Sequence, residues 1–347
     1  MMAEFRPSRS RSKSPFVEKL TFNRRRANND VKAINGRAVD LQKEFHRCKE
    51  NQEARLDLSS SDITAIPCSI KELVQLTELF LYKNKLSALP SELGNLVNLR
   101  KLGLSENCLA SLPDSLAALT ELQLLDLRHN RLTEIPPVTF KITSLETLWL
   151  RYNRITVVPD EISSLAKLKM IDLQQNKIQS LASRVGELGR LTVCLLSNNH
   201  LRTLPEDIGN CVELTRLELH YNSLVELPNS IGNLKKLTSL VLKYNKLTGI
   251  PASLSQCTAL TEFNIESNNI PLLPEGLLNS FPSLGTINLS RNEFQAFPQG
   301  GPAQFSSVTY INMEHNQIGK IPFGIFSRAT NLTKLNMKEN ELDALPL

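Results

Sequence analysis

Apolar residues recur along most of the chain at one fixed spacing. In LQLLDLRHNRLTEIP (residues 122–136), leucine and isoleucine stand at set offsets around Asn130. A marker Asn returns every 23 residues from Asn84 to Asn268, and every 24 residues from there to Asn340. Apolar residues alternate with other residues just before each marker, which predicts a short β-strand with one buried face. The spacing therefore predicts a chain built from one repeated unit.

The repeated unit follows the spacing L-x-x-L-x-L-x-x-N-x-L, which is typical of a leucine-rich repeat. With Ser61 in the marker position of the first unit, the chain contains thirteen repeats. The L-x-L strands are expected to pair in parallel, with each marker Asn turned inward to bond the backbone. An apolar–Pro pair such as Ile135-Pro136 then ends the strand, because Pro offers no donor. The predicted fold class is α/β, a leucine-rich-repeat solenoid (horseshoe) with a concave parallel β-sheet, short convex helical turns and repeats of 23–24 residues.

Three segments are expected from composition. Residues 1–30 form a basic Ser/Arg-rich tail that has too few apolar groups to fold, so we predict disorder there. Residues 31–54 are predicted to contain a helix that caps the first repeat, because a solenoid needs capped ends. Residues 55–347 form the repeat domain, which we interpret as truncated at its C-terminal end.

Composition excludes several classes of protein. The formal net charge is +5, but residues 1–27 hold eight basic and two acidic residues, so the repeats themselves are close to neutral. We therefore expect no general nucleic-acid binding by the repeats. The sequence contains no apolar run of 18 residues, so no membrane insertion is expected. The six cysteines are widely spread and form no capping cluster, which favours a reducing compartment, cytosol or nucleus.

The candidate functional residues lie beside the buried leucines, where repeat phase directs them to the concave side. They include the single Trp of the chain and most of its tyrosines, and an aromatic beside Arg is typical of a protein-binding hot spot. We expect Trp149 to be exposed by its phase in the repeat. The predicted partner-binding residues are Asp126, Arg128, His129, Trp149, Arg151, Tyr152, Tyr82, His220, Tyr221 and Tyr244.

Catalysis has little support in the sequence. The concave histidines His129, His220 and His315 lie about four repeats apart, near 19 Å at about 4.8 Å per strand. The sequence contains no Gly-rich phosphate loop and no metal-like Cys or His spacing. We predict neither enzymatic activity nor a cofactor.

Several segments of the sequence depart from the generic repeat, namely LDLRHNRL (125–132), LRYNRIT (150–156) and above all NMEHNQIGKIPFGIFSRA (312–329). These segments closely resemble the Sur-eight/Shoc-two family of scaffolds in the Ras–MAP-kinase pathway. The resemblance implies a non-catalytic scaffold that holds a GTP-bound Ras-type GTPase and the catalytic subunit of protein phosphatase 1, which then dephosphorylates Raf kinase. The family also carries a phosphatase-docking peptide in its N-terminal tail. Lys19, Leu20, Thr21 and Phe22 match its place, with Leu20 where the motif prefers Val or Ile.

Two other functions stay open at this stage. The first alternative is a generic intracellular repeat adaptor with different partners. The second is an RNA-processing factor that acts through its Ser/Arg tail. The second alternative predicts salt-sensitive RNA binding that is lost with residues 1–27. A fragment of a secreted receptor fits least, because its cysteines would be paired.

Overall fold

The computed structural model describes residues 39–343 of the 347-residue chain. The predicted tail (1–30), the docking peptide Lys19–Phe22 and the last four residues lie outside the described residues, as does the first part of the predicted cap segment. Predictions about them therefore stay predictions.

The first described element is α1, Leu41–Glu50. Asp40 caps its N-terminus by accepting a hydrogen bond from the backbone N–H of Lys43 at 3.2 Å. Phe45 and Cys48 are buried in the core, and Gln75 of the first convex segment donates to the Cys48 carbonyl at 3.2 Å. The helix therefore packs directly on the first repeat.

The repeats form one open parallel sheet, as the spacing predicts. Within the described residues it holds 13 strands, paired in chain order except that β6 and β8 form a separate two-stranded sheet. The strands are β1 Arg55–Asp57, β2 Glu78–Phe80, β3 Lys101–Gly103, β4 Leu124–Asp126, β5 Thr147–Trp149, β6 Val157–Val158, β7 Met170–Asp172, β8 Ser180–Leu181, β9 Val193–Leu195, β10 Arg216–Glu218, β11 Ser239–Val241, β12 Glu262–Asn264, β13 Thr286–Asn288, β14 Tyr310–Asn312 and β15 Lys334–Asn336.

The convex side carries short 3₁₀ helices, which confirms the predicted helical turns. They are η1 Cys68–Glu72, η2 Ser91–Asn95, η3 Asp114–Ala118, η4 Pro137–Lys141, η5 Asp160–Ser164, η6 Ser183–Glu187, η7 Glu206–Asn210, η8 Asn229–Asn233, η9 Ala252–Gln256, η10 Leu277–Ser280 and η11 Pro302–Phe305. A Pro precedes most of them. Ala182, which replaces it before η6, adopts nearly the same backbone (φ −66°, ψ 148°) as Pro205 before η7 (φ −67°, ψ 147°).

The marker asparagines form the predicted inward ladder. Asn130 accepts a hydrogen bond from the N–H of Leu109 at 2.9 Å and donates to the carbonyls of Leu104 (3.0 Å) and Leu127 (3.1 Å). Asn153 repeats this arrangement one turn later. Each side chain thus satisfies buried backbone groups in its own repeat and in the preceding one, which fixes the stacking of the repeats.

Candidate functional site

The concave face is built from columns of side chains that run across the strands. The last residue of each strand points outward, and so does the residue two positions later. The residue just before each marker Asn has a left-handed backbone, with φ between 51° and 59° in every repeat from Ser60 to Glu339. This turn ends the outward run at the same point in each repeat. His129, Tyr152, Tyr221 and Tyr244 all stand in this third column.

Asp126, Arg128 and Trp149 form one packed cluster on this face, at the fourth and fifth of the thirteen strands. Both carboxylate oxygens of Asp126 are used, because Arg128 donates from Nε at 2.9 Å and from Nη2 at 2.7 Å. The backbone N–H of Arg128 also donates to Asp126 at 3.1 Å. The guanidinium lies over the Trp149 ring, 4.4 Å from its centroid. Arg128 is therefore held flat, with only its outer side open to solvent.

Two of the predicted contact residues are thus not exposed. Asp126 has no accessible surface and Trp149 is 5% exposed, so the expectation of an exposed Trp149 is wrong. The position of a residue within the repeat determines the direction of its side chain but not its solvent-accessible area. Strands only about 4.8 Å apart bring each outward residue under its neighbours, and Arg128 of the preceding repeat covers the ring. Asp126 and Trp149 orient Arg128 and do not themselves reach solvent.

Asp126 keeps the guanidinium of Arg128 charged in spite of its burial. Burial lowers the pKa of its guanidinium, but the hydrogen bonds and charge of Asp126 outweigh this, and the pKa lies above its ordinary value. Arg128 therefore keeps its positive charge, while its contacts with Asp126 and Trp149 restrict the rotamers of its side chain. Such a group binds a carboxylate at a smaller entropic cost than a mobile one.

A second buried polar network follows one repeat later, and no pattern in the sequence predicted it. Asp172 lies beside Trp149 in the sheet register and accepts the backbone N–H of Gln174 at 3.1 Å. The Gln174 side chain donates to Ser197 Oγ at 2.7 Å and to Glu218 Oε2 at 2.8 Å. All four side chains are buried. Burial raises the pKa of Asp172 to about 6.

Arg151 and His220 flank this network with unused hydrogen-bonding atoms. Arg151 Nε and His220 Nδ1 are buried and have no hydrogen-bond partner among the described residues. Burial lowers the pKa of His220, and Glu218 only partly opposes this, so its ring is neutral at pH 7. Arg151 is partly occupied by Tyr152, whose hydroxyl accepts from Nη2 at 3.3 Å. The middle of the face therefore retains capacity to bond a partner.

Exposed aromatic pairs stand on both sides of this middle region. His129 stacks on Tyr152 with ring centroids 4.2 Å apart, and Tyr221 stacks on Tyr244 at 4.4 Å. Tyr152 is 39% and Tyr221 46% exposed. Stacked rings offer a large contact area with few rotamers to freeze, which suits a binding anchor. Three repeats separate the two pairs, or about 14 Å along the sheet.

Tyr82 lies farther toward the N-terminal end and is half-buried. Its ring stacks on Phe80 at 5.4 Å and crosses Gly103 in the next strand. A Cβ at Gly103 would lie 2.3 Å from Tyr82 Cε1. The glycine therefore makes room for the tyrosine ring on the concave face.

Replacing Gly103 with Ala will lower the free energy of unfolding by about 1 kcal/mol, because the Tyr82 ring must leave its stack on Phe80. The midpoint of urea unfolding measures this. Gly189→Ala is the matched control, since a Cβ there has no atom within 4 Å, and its midpoint should stay unchanged. Equal midpoints for the two variants would show that Gly103 does not position Tyr82.

The described residues contain no group of three or more His, Cys, Asp or Glu side chains that could hold a metal ion. In the same part of the chain, no helix is long and apolar enough to cross a membrane. All six cysteines fall within residues 39–343 and are free.

Comparison with known proteins places the chain in a family. The sequence profile described as "Leucine rich repeat" matches residues 74–132, 120–178, 212–270 and 258–318. A leucine-rich-repeat protein of Leptospira interrogans is 31% identical, with a TM-score of 0.78 over 84% of this chain and 74% of that one. The chain belongs to the leucine-rich-repeat family, and the predicted solenoid is confirmed.

Relatives found by sequence point to one group within the leucine-rich-repeat family. Leucine-rich repeat protein soc-2 of Caenorhabditis elegans is 58% identical over 100 residues, 24% of this chain and 18% of the relative. Leucine-rich repeat protein SHOC-2 of Danio rerio is 54% identical over 47 residues, 14% of this chain and 8% of the relative. These matches confirm the resemblance to the Sur-eight/Shoc-two family. The matched segments span less than a fifth of the length of these relatives.

A more distant solved structure shares the repeat fold. The Arabidopsis receptor kinase HAESA, solved in complex with a peptide hormone and a co-receptor, is 25% identical, with a TM-score of 0.62 over 92% of this chain and 50% of that one. The likeness shows the same repeat fold in that receptor kinase.

Proposed function

We propose that this chain is a non-catalytic scaffold that brings a GTP-bound Ras-type GTPase together with the catalytic subunit of protein phosphatase 1. The assembled phosphatase would remove an inhibitory phosphate from Raf kinase and so promote MAP-kinase signalling. The proposal rests on the likeness to the soc-2 and SHOC-2 proteins together with one observation on the concave face. That observation is the pair of exposed aromatic stacks on either side of a buried polar centre.

The dimensions of the sheet support two partners. Thirteen strands at about 4.8 Å give a face roughly 60 Å long. A standard interface covers about 800 Å² per partner, a patch about 28 Å across. Two such patches fit side by side on this face. The stack of His129 on Tyr152 and the stack of Tyr221 on Tyr244 give each patch its own aromatic anchor.

Two half-buried arginines beside the stack of His129 on Tyr152 support selectivity. Arg128 and Arg151 lie in adjacent repeats and both are half-buried. A carboxylate of a partner protein can replace the water at these arginines and accept charge-assisted hydrogen bonds from them. A partner without a carboxylate at this place would leave Arg151 Nε without a hydrogen bond, which disfavours its binding. A surface of this kind distinguishes partners more sharply than an exposed ring of lysines.

The test is capture on immobilised chain. The GTPase loaded with a non-hydrolysable GTP analogue should be retained together with the phosphatase subunit, whereas the GDP-loaded form should not. Retention of both nucleotide forms to the same extent, or displacement of one partner by the other, would contradict the proposal.

The docking peptide has its own test. Replacing Phe22 with Ala should weaken capture of the phosphatase subunit and leave capture of the GTPase unchanged, because an extended docking peptide seats its aromatic side chain in a pocket of its receptor. Phe16→Ala is the matched control in the same tail. Unchanged capture of the phosphatase by the Phe22 variant would remove the motif from the proposal and leave the concave face as the binding surface.

A further inference from the structure

A row of side chains runs along one flank of the solenoid, where the chain leaves the concave sheet for the convex helices. From Asn130 to Asn199, the residue that follows each marker Asn is exposed, whereas the marker itself and the next residue are buried. We call the residues that directly follow the markers the flank row. From the fourth repeat to the ninth, the flank row consists of Arg131, Arg154, Lys177, His200, Ser223 and Lys246.

Backbone hydrogen bonds hold the flank row at a fixed spacing. The N–H of Arg154 donates to the carbonyl of Leu132 in the preceding repeat at 2.8 Å, and the N–H of Lys177 donates to the carbonyl of Ile155 at 2.9 Å. Chain segments joined by such bonds lie about 4.8 Å apart, so this part of the row is about 24 Å long. The side chains of the row therefore stand in single file at regular intervals.

Positive charge accumulates along this part of the row without carboxylates beside it. The neighbours of the row at the surface are the residue before each marker and the residue three positions after it. From the fourth repeat to the ninth, none of these positions holds Asp or Glu, and Arg202 adds a further cation. Five arginines and lysines of the stretch are exposed and make no ion pair within residues 39–343. These five residues, which we call the basic stripe, are Arg131, Arg154, Lys177, Arg202 and Lys246.

The ends of the flank row show what its cations bind when a carboxylate is present. In the first two repeats the row holds Asp62 and Lys85, and their side chains form an ion pair at 2.9 Å. Neighbouring positions of the row are thus within reach of each other. In the eleventh repeat the row holds Glu293, which accepts a hydrogen bond from Asn269 at 3.1 Å. Between these regions the charged residues of the row are cations only, which leaves the complementary charge for another molecule to supply.

The narrow shape of the basic stripe favours a single extended chain as its occupant. Glu134 and Glu226 are exposed on its outer side, four positions after their marker asparagines. A bilayer or a nucleic-acid duplex covers a wider area and would also contact these two carboxylates. An extended peptide of about seven residues spans the stripe at about 3.3 Å per residue. The amide side chains of Gln175 and Gln179, on either side of Lys177, can bond the backbone of such a peptide.

We propose that the basic stripe binds an acidic segment of a partner protein, which lies extended across the repeats from Arg131 to Lys246. The carboxylates of the segment accept charge-assisted hydrogen bonds from the arginines and lysines of the stripe. Exposed ion pairs are individually weak, so the affinity grows with the number of carboxylates that meet the stripe. This binding takes place on the flank and is independent of the concave face and of the function proposed for it.

A fluorescent octaglutamate peptide is the direct probe, with anisotropy as the readout on the full chain. It should bind saturably, and an octalysine peptide should bind at least tenfold more weakly. Raising the salt concentration from about 0.05 M to about 0.3 M should weaken octaglutamate binding at least threefold, because the charges of the stripe are exposed to solvent. Absence of saturable octaglutamate binding, or equal binding of the two peptides, overturns the proposal.

A triple variant locates the binding on the flank. Arg154→Ala, Lys177→Ala and Arg202→Ala together should weaken octaglutamate binding about tenfold, because three exposed ion pairs are lost. The basic N-terminal tail is unchanged in this variant, so the loss of affinity reports the stripe alone. An unchanged urea midpoint shows that the variant still folds.

A second triple variant is the matched control for net charge. Lys167→Ala, Arg190→Ala and Lys235→Ala remove three exposed cations from the segments that lead from the convex helices into the next strand. This control should change octaglutamate binding less than twofold. A loss of equal size in the two triple variants, or in neither, overturns the proposal.

A gain of affinity tests the position of the row. Ser223→Lys adds a cation to the row between His200 and Lys246 and should tighten octaglutamate binding two- to fivefold. Thr258→Lys adds the same charge at an exposed position outside the row and should leave binding unchanged. Equal effects of the two variants would contradict binding along the row.

Phosphatidylserine vesicles and poly(U) test the two other polyanions that a basic stripe can bind. Neither should depend on Arg154, Lys177 and Arg202 as strongly as octaglutamate does. If vesicles or poly(U) lose affinity in the first triple variant while octaglutamate binding is indifferent to it, the occupant is a membrane or an RNA, and the proposal is overturned.

Discussion

Replacing Asp126 with Asn will lower the free energy of unfolding by about 3 kcal/mol and release Arg128 from Trp149. Asp126 is fully buried and holds the Arg128 guanidinium through both oxygens. Removing one partner of a buried pair costs about 3–5 kcal/mol, and we take the low end because the Arg128 side chain is 35% exposed. The Asn side chain has one acceptor oxygen and one NH₂ group, and the NH₂ group cannot accept from the guanidinium. One of the two hydrogen bonds between residue 126 and Arg128 is therefore lost.

The single Trp of the chain reports this change directly. Its ring is covered by Arg128 in the wild type, and its emission should move to longer wavelength as water reaches it in the variant. Asp57→Asn is the matched control. Asp57 stands in the same column, accepts the Ser59 N–H at 3.2 Å and pairs with Arg55 at 3.3 Å, but it is partly exposed.

The control should cost less than about 1 kcal/mol, as exposed pairs do, and leave Trp149 emission unchanged. Equal losses for Asp126→Asn and Asp57→Asn would mean that the clamp on Arg128 contributes nothing beyond the turn that both carboxylates cap.

Replacing Asp172 with Asn, unlike the change at Asp126, will raise the free energy of unfolding, by about 2–3 kcal/mol at pH 7.5. Burial raises the pKa of Asp172 from 3.8 to about 6. The folded chain therefore holds this proton more tightly than the unfolded chain. Stability falls as pH rises from about 4 to about 6, and above that range the charged form costs about 1.4 kcal/mol for each unit of pKa shift. Asparagine removes this cost because it has no charge to desolvate.

The same column shows that Asn fits the position. Asn288 and Asn312 accept the backbone N–H two residues later at 3.1 Å, as Asp172 does. Urea midpoints at pH 4.5 and pH 7.5 measure the effect. The variant should gain most at pH 7.5 and little at pH 4.5, where the wild-type carboxyl is protonated when folded.

A loss of stability at pH 7.5 in the Asp172→Asn variant would contradict this account. It would mean that the charges of Arg128 and Arg151 stabilise the carboxylate more than burial disfavours it. Asp160→Asn, at an exposed residue, is the control for the change of net charge.

The fold was predictable because the residues that determine the structure of each repeat lie within that repeat. The alternation around Leu125 and Leu127, the Asn130 side chain and the Pro136 stop all act within one repeat, and the period extends them to the whole described sheet. The concave face was less predictable. Its contacts join residues 23 or more positions apart, such as Gln174 with Glu218, and no spacing within one repeat encodes them.

Trp149 shows the kind of error that follows. Trp149 was expected to be exposed because its phase is right, but its accessible area depends on Arg128 in the repeat before.

The measurement that tests the central claim most directly is the affinity of the GTP-loaded GTPase, with the phosphatase subunit present, for wild-type chain and two Arg variants. Arg151→Ala removes a half-buried cation from the middle of the concave face, and Arg190→Ala removes an exposed one that follows η6. Titration calorimetry should show at least a tenfold loss of affinity for the first, about 1.4 kcal/mol, and no change for the second. Equal affinities for all three chains would contradict binding at the concave face.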